Sequence, residues 1–206
     1  MKYKIILASN SPRRRELLAG ADIDFIVDTR NNFVEGPEAG VDPHQVPLDM
    51  SIGKSHGFHR PLAQDELLIT ADTVVICPVG GSESKKYASA FASVVLGKPR
   101  DADDAARMLR MLSGRSHEVV TGVTLRSSTR EFSFSDMTRV HFKELSDADI
   151  AYYIERYKPF DKAGAYGIQE WIGYIGISSV EGSYFNVMGL PVDRVRDAIL
   201  DFEGRN

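Results

Sequence analysis

Residues 3–18 read YKIILASNSPRRRELL, and this order sets the first step of the fold. Tyr3 to Ala8 is an apolar run of the length expected for a buried strand. Ser9, Asn10, Ser11 and Pro12 then supply a turn, an N-cap and a proline suited to the first helical position. Arg13 to Leu18 continues as a helix that ends near Gly20. The first backbone N–H groups of such a helix lack intrahelical partners and point outward, with the positive end of the helix dipole behind them. Arginines in that turn oppose the dipole, so an anion is the natural compensation, and guanidinium forks match phosphate oxygens. The turn from Ser9 to Arg14 is therefore a candidate phosphate-binding site.

Working outward, a second strand is expected over 23–28, followed by a polar stretch with Gly36, Pro37, Gly40 and Pro43. A helix is expected from about Pro47 to Phe58, with Leu48, Ile52 and Ser55 on one face. Leu67 to Ala71 reads as a strand running into Asp72-Thr73, with Val74 to Ile76 carrying on after it. The segment 78–93, rich in Ser, Ala and Gly, reads as a surface loop, partly helical around Tyr87–Ala92, before the return strand Val94–Leu96. A helix capped by Asp101 or Asp103 follows, its apolar positions Ala105, Met108, Leu109 and Leu112 at helical spacing, stopped by Gly114. Two strands, about 117–126 and 131–142, are joined by a polar turn. Ser146 and Asp149 form a capping box that opens a helix to about Tyr157. A Gly- and aromatic-rich region runs to Gly189, and a last helix covers about 191–202. Strands and helices alternate irregularly, which predicts an α/β fold on a mixed sheet.

The chain has 206 residues, 43% hydrophobic and 26% charged, which suits one α/β domain or two small lobes sharing a cleft. It has no run near the roughly 20 apolar residues that span a bilayer. The opening residues are too quickly polar for a signal-peptide core. A single cysteine, Cys77, excludes an internal disulfide framework and points to a reducing cytoplasm. The net charge of -4 argues against broad nucleic-acid binding. Three consecutive arginines at 13–15 invert that sign locally.

Asp72, placed at the end of an apolar strand, can ligate a hard cation or activate water. With Glu35 it could hold Mg²⁺, the remaining ligands being water and phosphate oxygens. Lys54 and Lys98 are candidate phosphate contacts, the second in the rigid turn Gly97-Lys98-Pro99. In residues 161–169, DKAGAYGIQ, small residues allow close approach of backbone to a flat ligand. Gln169 offers an acceptor and a donor side by side, a fit to the N3–H and O4 edge of uracil or thymine, and, if flipped, to cytosine. Discrimination therefore needs something that sets its orientation. His56 and His59 lack a third metal ligand at a recognisable spacing, and the Walker A, HExxH, CxxC and GxSxG signatures are absent.

Taken in order, LASNSPRRRELL at 7–18, ADTVV at 71–75, LGKPRDADDAARMLRMLSGRSHEVVTGV at 96–123, DKAGAYGIQ at 161–169 and SYFNVMGLPV at 183–192 resemble the Maf family of nucleotide pyrophosphatases. The resemblance implies an elongated mixed sheet with flanking helices, two lobes around a central cleft, a relation to the inosine triphosphatase (Ham1) group, and often a homodimer. It implies that Ser9, Arg13 and Lys54 bind a triphosphate. It also implies that Glu35 and Asp72 hold a divalent metal, Mg²⁺ or Mn²⁺, and the attacking water, with Asp72 as general base. Arg14, Lys98 and Gln169 match the branch acting on dTTP and UTP. The implied reaction is hydrolysis of a nucleoside triphosphate to monophosphate and pyrophosphate, a house-cleaning role without nucleic-acid or membrane partners. The rival expectations are a 7-methyl-GTP or non-canonical purine triphosphate pyrophosphatase, and a nucleotide-binding regulator of septum formation. Three departures from the family pattern stand out. Phe33-Val34-Glu35 lacks the acid that usually precedes the glutamate, Ser51 and Ser55 replace alanines around Lys54, and 78–93 is long for a hairpin turn.

Overall fold

The computed structural model describes residues 2–34, 41–78 and 93–205. Glu35 and all but the ends of the 78–93 segment lie outside the described residues. The described chain forms a seven-stranded mixed sheet with flanking helices. Its strands are β1 (Lys4–Leu7), β2 (Phe25–Val27), β3 (Glu66–Pro78), β4 (Ser93–Leu96), β5 (Ser116–Arg126), β6 (Glu131–Phe142) and β7 (Ile177–Glu181). The order is β2-β1-β3-β5-β6-β7, with β4 paired to β3. The helices are α1 (Pro12–Gly20), α2 (Val46–His56), α3 (Ala102–Leu112), α4 (Asp147–Tyr157), α5 (Trp171–Gly176), α6 (Tyr184–Met188) and α7 (Val192–Phe202), with a 3-10 turn at Ala163–Ala165. Among the described residues no helix is long and apolar enough to cross a membrane.

The opening stretch folds as its residues dictate. Ile5, Ile6 and Leu7 are buried, Ser11 is the N-cap of α1 and accepts from the Arg14 backbone N–H, and Pro12 opens the helix. β1 pairs in parallel with both β2 and β3, Ile5 lying opposite Phe25 and Leu67. Parallel neighbours need a crossover, and α1 provides it between β1 and β2.

The chain divides into two compact units. The first comprises residues 1–72, 121–136 and 189–206, and the second residues 73–120 and 137–188. In the first, Ile6, Leu68, Phe58 and Leu62 form a core cluster with Ala8 against it. α7 buries Val195, Ala198, Ile199 and Phe202, the face its apolar spacing predicts. In the second, α3 buries Ala105, Met108, Leu109 and Leu112 and packs on α4 and the 163–165 turn.

Two expectations are corrected. β3 is one continuous strand through Asp72, so this carboxylate sits mid-strand; Val74 to Cys77 remain buried and the ladder to β4 carries on, Val75 pairing with Leu96. α2 turns Pro47, Ser51 and Ser55 to the core in place of Leu48 and Ile52. The Gly- and aromatic-rich region before Gly189 holds α5, β7 and α6, short elements whose periodicity is too brief to read locally. Of the two possible caps of α3, Asp101 is the one that accepts from the Asp104 N–H, at 2.8 Å.

Candidate active site

The first unit gathers five of the expected residues around the end of β1, the start of α1 and the middle of β3. Ser9 is buried at the strand-to-helix turn, and its hydroxyl accepts from the Ser11 N–H at 3.3 Å and from Arg14 Nη1 at 3.1 Å. Arg14 Nη1 also donates to Ala71 O at 2.7 Å, and its Nε to Gly189 O at 2.8 Å. Two of its nitrogens are thus given to protein acceptors, so it clamps the turn to β3 one residue before Asp72. Burial works against the Arg14 charge, Asp72 favours it and Arg13 opposes it. Those couplings place Arg13 and Asp72 within electrostatic reach of the same guanidinium. Arg15, the third arginine of the run, sends Nη2 to Ser9 O at 3.5 Å.

Lys54 and Asp72 meet directly. Nζ donates to Asp72 Oδ1 at 2.6 Å, and both side chains are about four-fifths buried, 20% and 21% exposed. Asp72 Oδ2 has no hydrogen-bond partner among the described residues. Lys54 is delivered by α2, and the seating of that helix explains the two serines. Ser51 Oγ lies 2.8 Å from Leu48 O and 2.9 Å from Thr124 Oγ1, and Thr70 donates to Ser51 O at 2.7 Å. Ser55 accepts from Arg126 Nε at 2.9 Å on its hydroxyl, and Arg126 Nη2 bonds its carbonyl. Asn31 Nδ2 donates to Lys54 O at 2.5 Å. Alanine at 51 and 55 would fit the space and keep the carbonyl bonds, but would remove those made by the two hydroxyls. A Cβ on Gly122 would collide with the Pro47 carbonyl, so the glycine lets β5 approach the start of α2 closely.

Lys98 and Gln169 belong to the second unit, where one backbone bond ties their segments together: the Gly164 N–H donates to Gly97 O at 3.0 Å. Lys98 is exposed. Gly164 takes φ +68° and Ala165 φ +60°, a left-handed pair that turns the chain sharply before Tyr166. A Cβ at Gly164 would also meet Val75, 2.8 Å from Cγ2. The Gln169 Oε1 atom is buried and has no hydrogen-bond partner among the described residues. A buried acceptor left open in this way is costly, unless a ligand donor completes it. Lys162 is buried and its ammonium is held by Asp161 at 2.8 Å and Glu170 at 3.0 Å, so it serves the loop itself.

Among the described residues no group of three His, Cys, Asp or Glu could hold a metal. Mg²⁺ is commonly bound by one or two carboxylates with water and substrate phosphates, so Asp72, with a partly exposed hard oxygen open, fits that donor set.

The family model described as Maf-like protein matches residues 4–202. The chain belongs to the Maf family. Its Maf relatives include a protein named dTTP/UTP pyrophosphatase from Porphyromonas gingivalis (strain ATCC 33277), 52% identical over 209 residues, covering 100% of this chain and 97% of the relative. Proteins of the same name from Phocaeicola vulgatus, 49% identical over 94% of this chain and 93% of the relative, and from Parabacteroides distasonis, 44% identical over 98% and 97%, are also similar. Among solved structures, a nucleoside-triphosphatase / dITP/XTP pyrophosphatase from Mycobacterium abscessus shares 17% identity over 69% of this chain and 75% of its own, with a TM-score of 0.39. At that score the likeness adds nothing to the Maf assignment.

The Maf motifs quoted from the sequence fall at the places just described: the Ser9 turn, the Asp72 strand, and the loop of Gln169. Sequence reasoning missed Asn31 and Arg126, which hold the end of α2 through partners far along the chain that no local pattern marks.

Proposed function

We propose that this chain hydrolyses dTTP and UTP to the nucleoside monophosphate and pyrophosphate. The observation that carries the reading is the Asp72 carboxylate, paired with Lys54 at 2.6 Å and open at Oδ2, one residue from the Ala71 carbonyl that Arg14 clamps. The relatives named dTTP/UTP pyrophosphatase, near half identical over almost the whole chain, support the same substrates.

In this reading Ser9, Arg13 and Lys54 receive the triphosphate, with Arg14 bracing the turn beneath. Asp72 orients a water and takes its proton as the water oxygen attacks the α-phosphorus. The bond from the α-phosphorus to the α–β bridging oxygen breaks, and pyrophosphate leaves with its charge balanced by the cationic side chains. A divalent cation, Mg²⁺ or Mn²⁺, would be held by Asp72, with Glu35 as second carboxylate, and would neutralise phosphate charge. The role of Glu35 rests on the resemblance. Lys98 adds a further phosphate contact, and Gln169 Oε1 accepts from the N3–H of uracil or thymine. A cytoplasmic setting fits the lone buried Cys77, and a homodimer belongs to the proposal on the family resemblance alone.

The test is pyrophosphate release from dTTP, UTP, CTP, 7-methyl-GTP and ITP with Mg²⁺, beside Asp72→Asn. The expected result is best turnover of dTTP and UTP, with kcat lowered about 100-fold or more in the variant. Preference for 7-methyl-GTP or ITP would overturn the substrate. Nucleotide binding without turnover would replace catalysis by a regulator of septum formation.

A further inference from the structure

The amide of Gln169 reads a pyrimidine only if its backbone is held, and the sequence shows nothing that holds it. The structure supplies a group from outside the 161–169 motif. Tyr153 is fully buried on α4, with its ring stacked on Tyr157 at 5.1 Å. Its hydroxyl accepts from the Gly167 N–H at 3.0 Å and donates to the Glu170 carboxylate. Burial and the neighbouring Glu170 push the phenol well above its usual range, so it stays protonated and keeps donating. Glu170 Oε1 in turn meets the Lys162 ammonium at 3.0 Å. The space inside this ring of contacts is closed, since a Cβ at Gly167 would lie 2.9 Å from Glu170 Cδ and 3.0 Å from Lys162 Cε. On the far side, the Gly173 N–H donates to Glu170 O at 2.9 Å.

We propose that Tyr153 is a specificity-positioning residue, which sets Gln169 for the pyrimidine edge by hydrogen-bonding the residues on either side of it. One hydroxyl bridges a backbone N–H two residues before Gln169 and a side chain one residue after it. The amide therefore sits on a short segment pinned at both ends, with its buried Oε1 left for the ligand. This inference rests on the dTTP/UTP reading above.

The experiment is steady-state hydrolysis of UTP and CTP with Mg²⁺ by the full chain, as wild type, Tyr153→Phe, Gln169→Ala and the double variant. Phenylalanine keeps the buried ring and removes only the hydroxyl. The expected result for Tyr153→Phe is a KM for UTP raised about ten-fold with kcat held within about two-fold, the scale of one lost hydrogen bond. The preference for UTP over CTP should fall towards that of Gln169→Ala, and adding Tyr153→Phe to Gln169→Ala should lower it no further. The proposal is overturned if UTP and CTP are affected alike, if Gln169→Ala leaves selectivity intact, or if the two substitutions act independently. Should Tyr153→Phe fail to fold, Glu170→Ala, which removes the acceptor of the Tyr153 hydroxyl and frees that end of the segment, carries the same expectation. A wild-type protein with no preference for UTP over CTP would sink the substrate reading itself, and this proposal with it.

Discussion

Arg14 shows how much one side chain can do at the meeting of two strands and two helices. Its guanidinium reaches Ser9 Oγ, Ala71 O and Gly189 O, acceptors from three separate parts of the first unit. A lysine has the charge but not the fork, and cannot meet three acceptors set at these angles. Arg14→Lys is expected to lower the unfolding free energy by about 1–2 kcal/mol, since buried carbonyls lose their donors. A urea titration of the two proteins checks this. Little change in the midpoint would mean that the clamp is dispensable. The residues of this site were half legible: Ser9, Arg13, Arg14 and Asp72 stand in local patterns that imply phosphate chemistry. The direct meeting of Lys54 with Asp72 was not, because 18 residues separate them and α2 must first be seated against β3 and β5.

At the level of elements, α2 is the informative case. Its apolar residues predict a core face of Leu48 and Ile52, yet Pro47, Ser51 and Ser55 are the buried stripe. The facing surface is polar: Thr70 and Thr124 are fully buried and Arg126 reaches in beside them, so the Ser51 and Ser55 hydroxyls bond Thr124 and Arg126 while Thr70 takes the Ser51 carbonyl. Gly122→Ala tests the seating, because the added methyl would force Pro47, and with it α2, away from β5. Overpacking of this kind costs about 1–3 kcal/mol. We expect a lower Tm together with a raised KM for UTP, as Lys54 moves with the helix. A lower Tm with unchanged KM would show that the sheet absorbs the methyl and α2 stays in place. Elsewhere the element pattern read well. The Asp101 cap of α3 and the Ser146–Asp149 capping box of α4 are both present, as are the long strands β5 and β6. The caps are local signals enforced by hydrogen bonds within three residues, and the strands are legible as long alternating or apolar runs.

Across the molecule, folding hides groups that the unfolded chain exposes, and His117 carries the clearest consequence. It is fully buried between Phe142 and Tyr166, with Nε2 2.8 Å from the Tyr166 hydroxyl. Burial pushes its imidazole down to about 3, from an ordinary 6.5. Below that ordinary value the unfolded chain takes up a proton that the native protein refuses, so its contribution is full above 6.5 and declines as pH falls towards 3. The slope can reach about 1.4 kcal/mol per pH unit. Tm is therefore expected to fall as pH is lowered from about 7 to about 5, and to fall less steeply in His117→Asn. Equal slopes would exclude His117 as the cause. Asp104, held down to about 2 by hydrogen bonds from Arg107 and Arg100, titrates below this window. By itself the sequence determined the strand-turn-helix opening, the mixed α/β class and the family, and it singled out the residues proposed here to handle phosphate. These are carried by neighbours in the chain, where capping, burial of short apolar runs and charge in a helix's first turn act over a few residues. Only the tertiary structure decided that Asp72 lies within a continuous strand, that Lys54 reaches it, that α2 packs on its serines, and that Tyr153 holds the Gln169 loop. Those outcomes depend on which distant groups fill one another's hydrogen bonds once the sheet has formed, and no spacing along the chain records them.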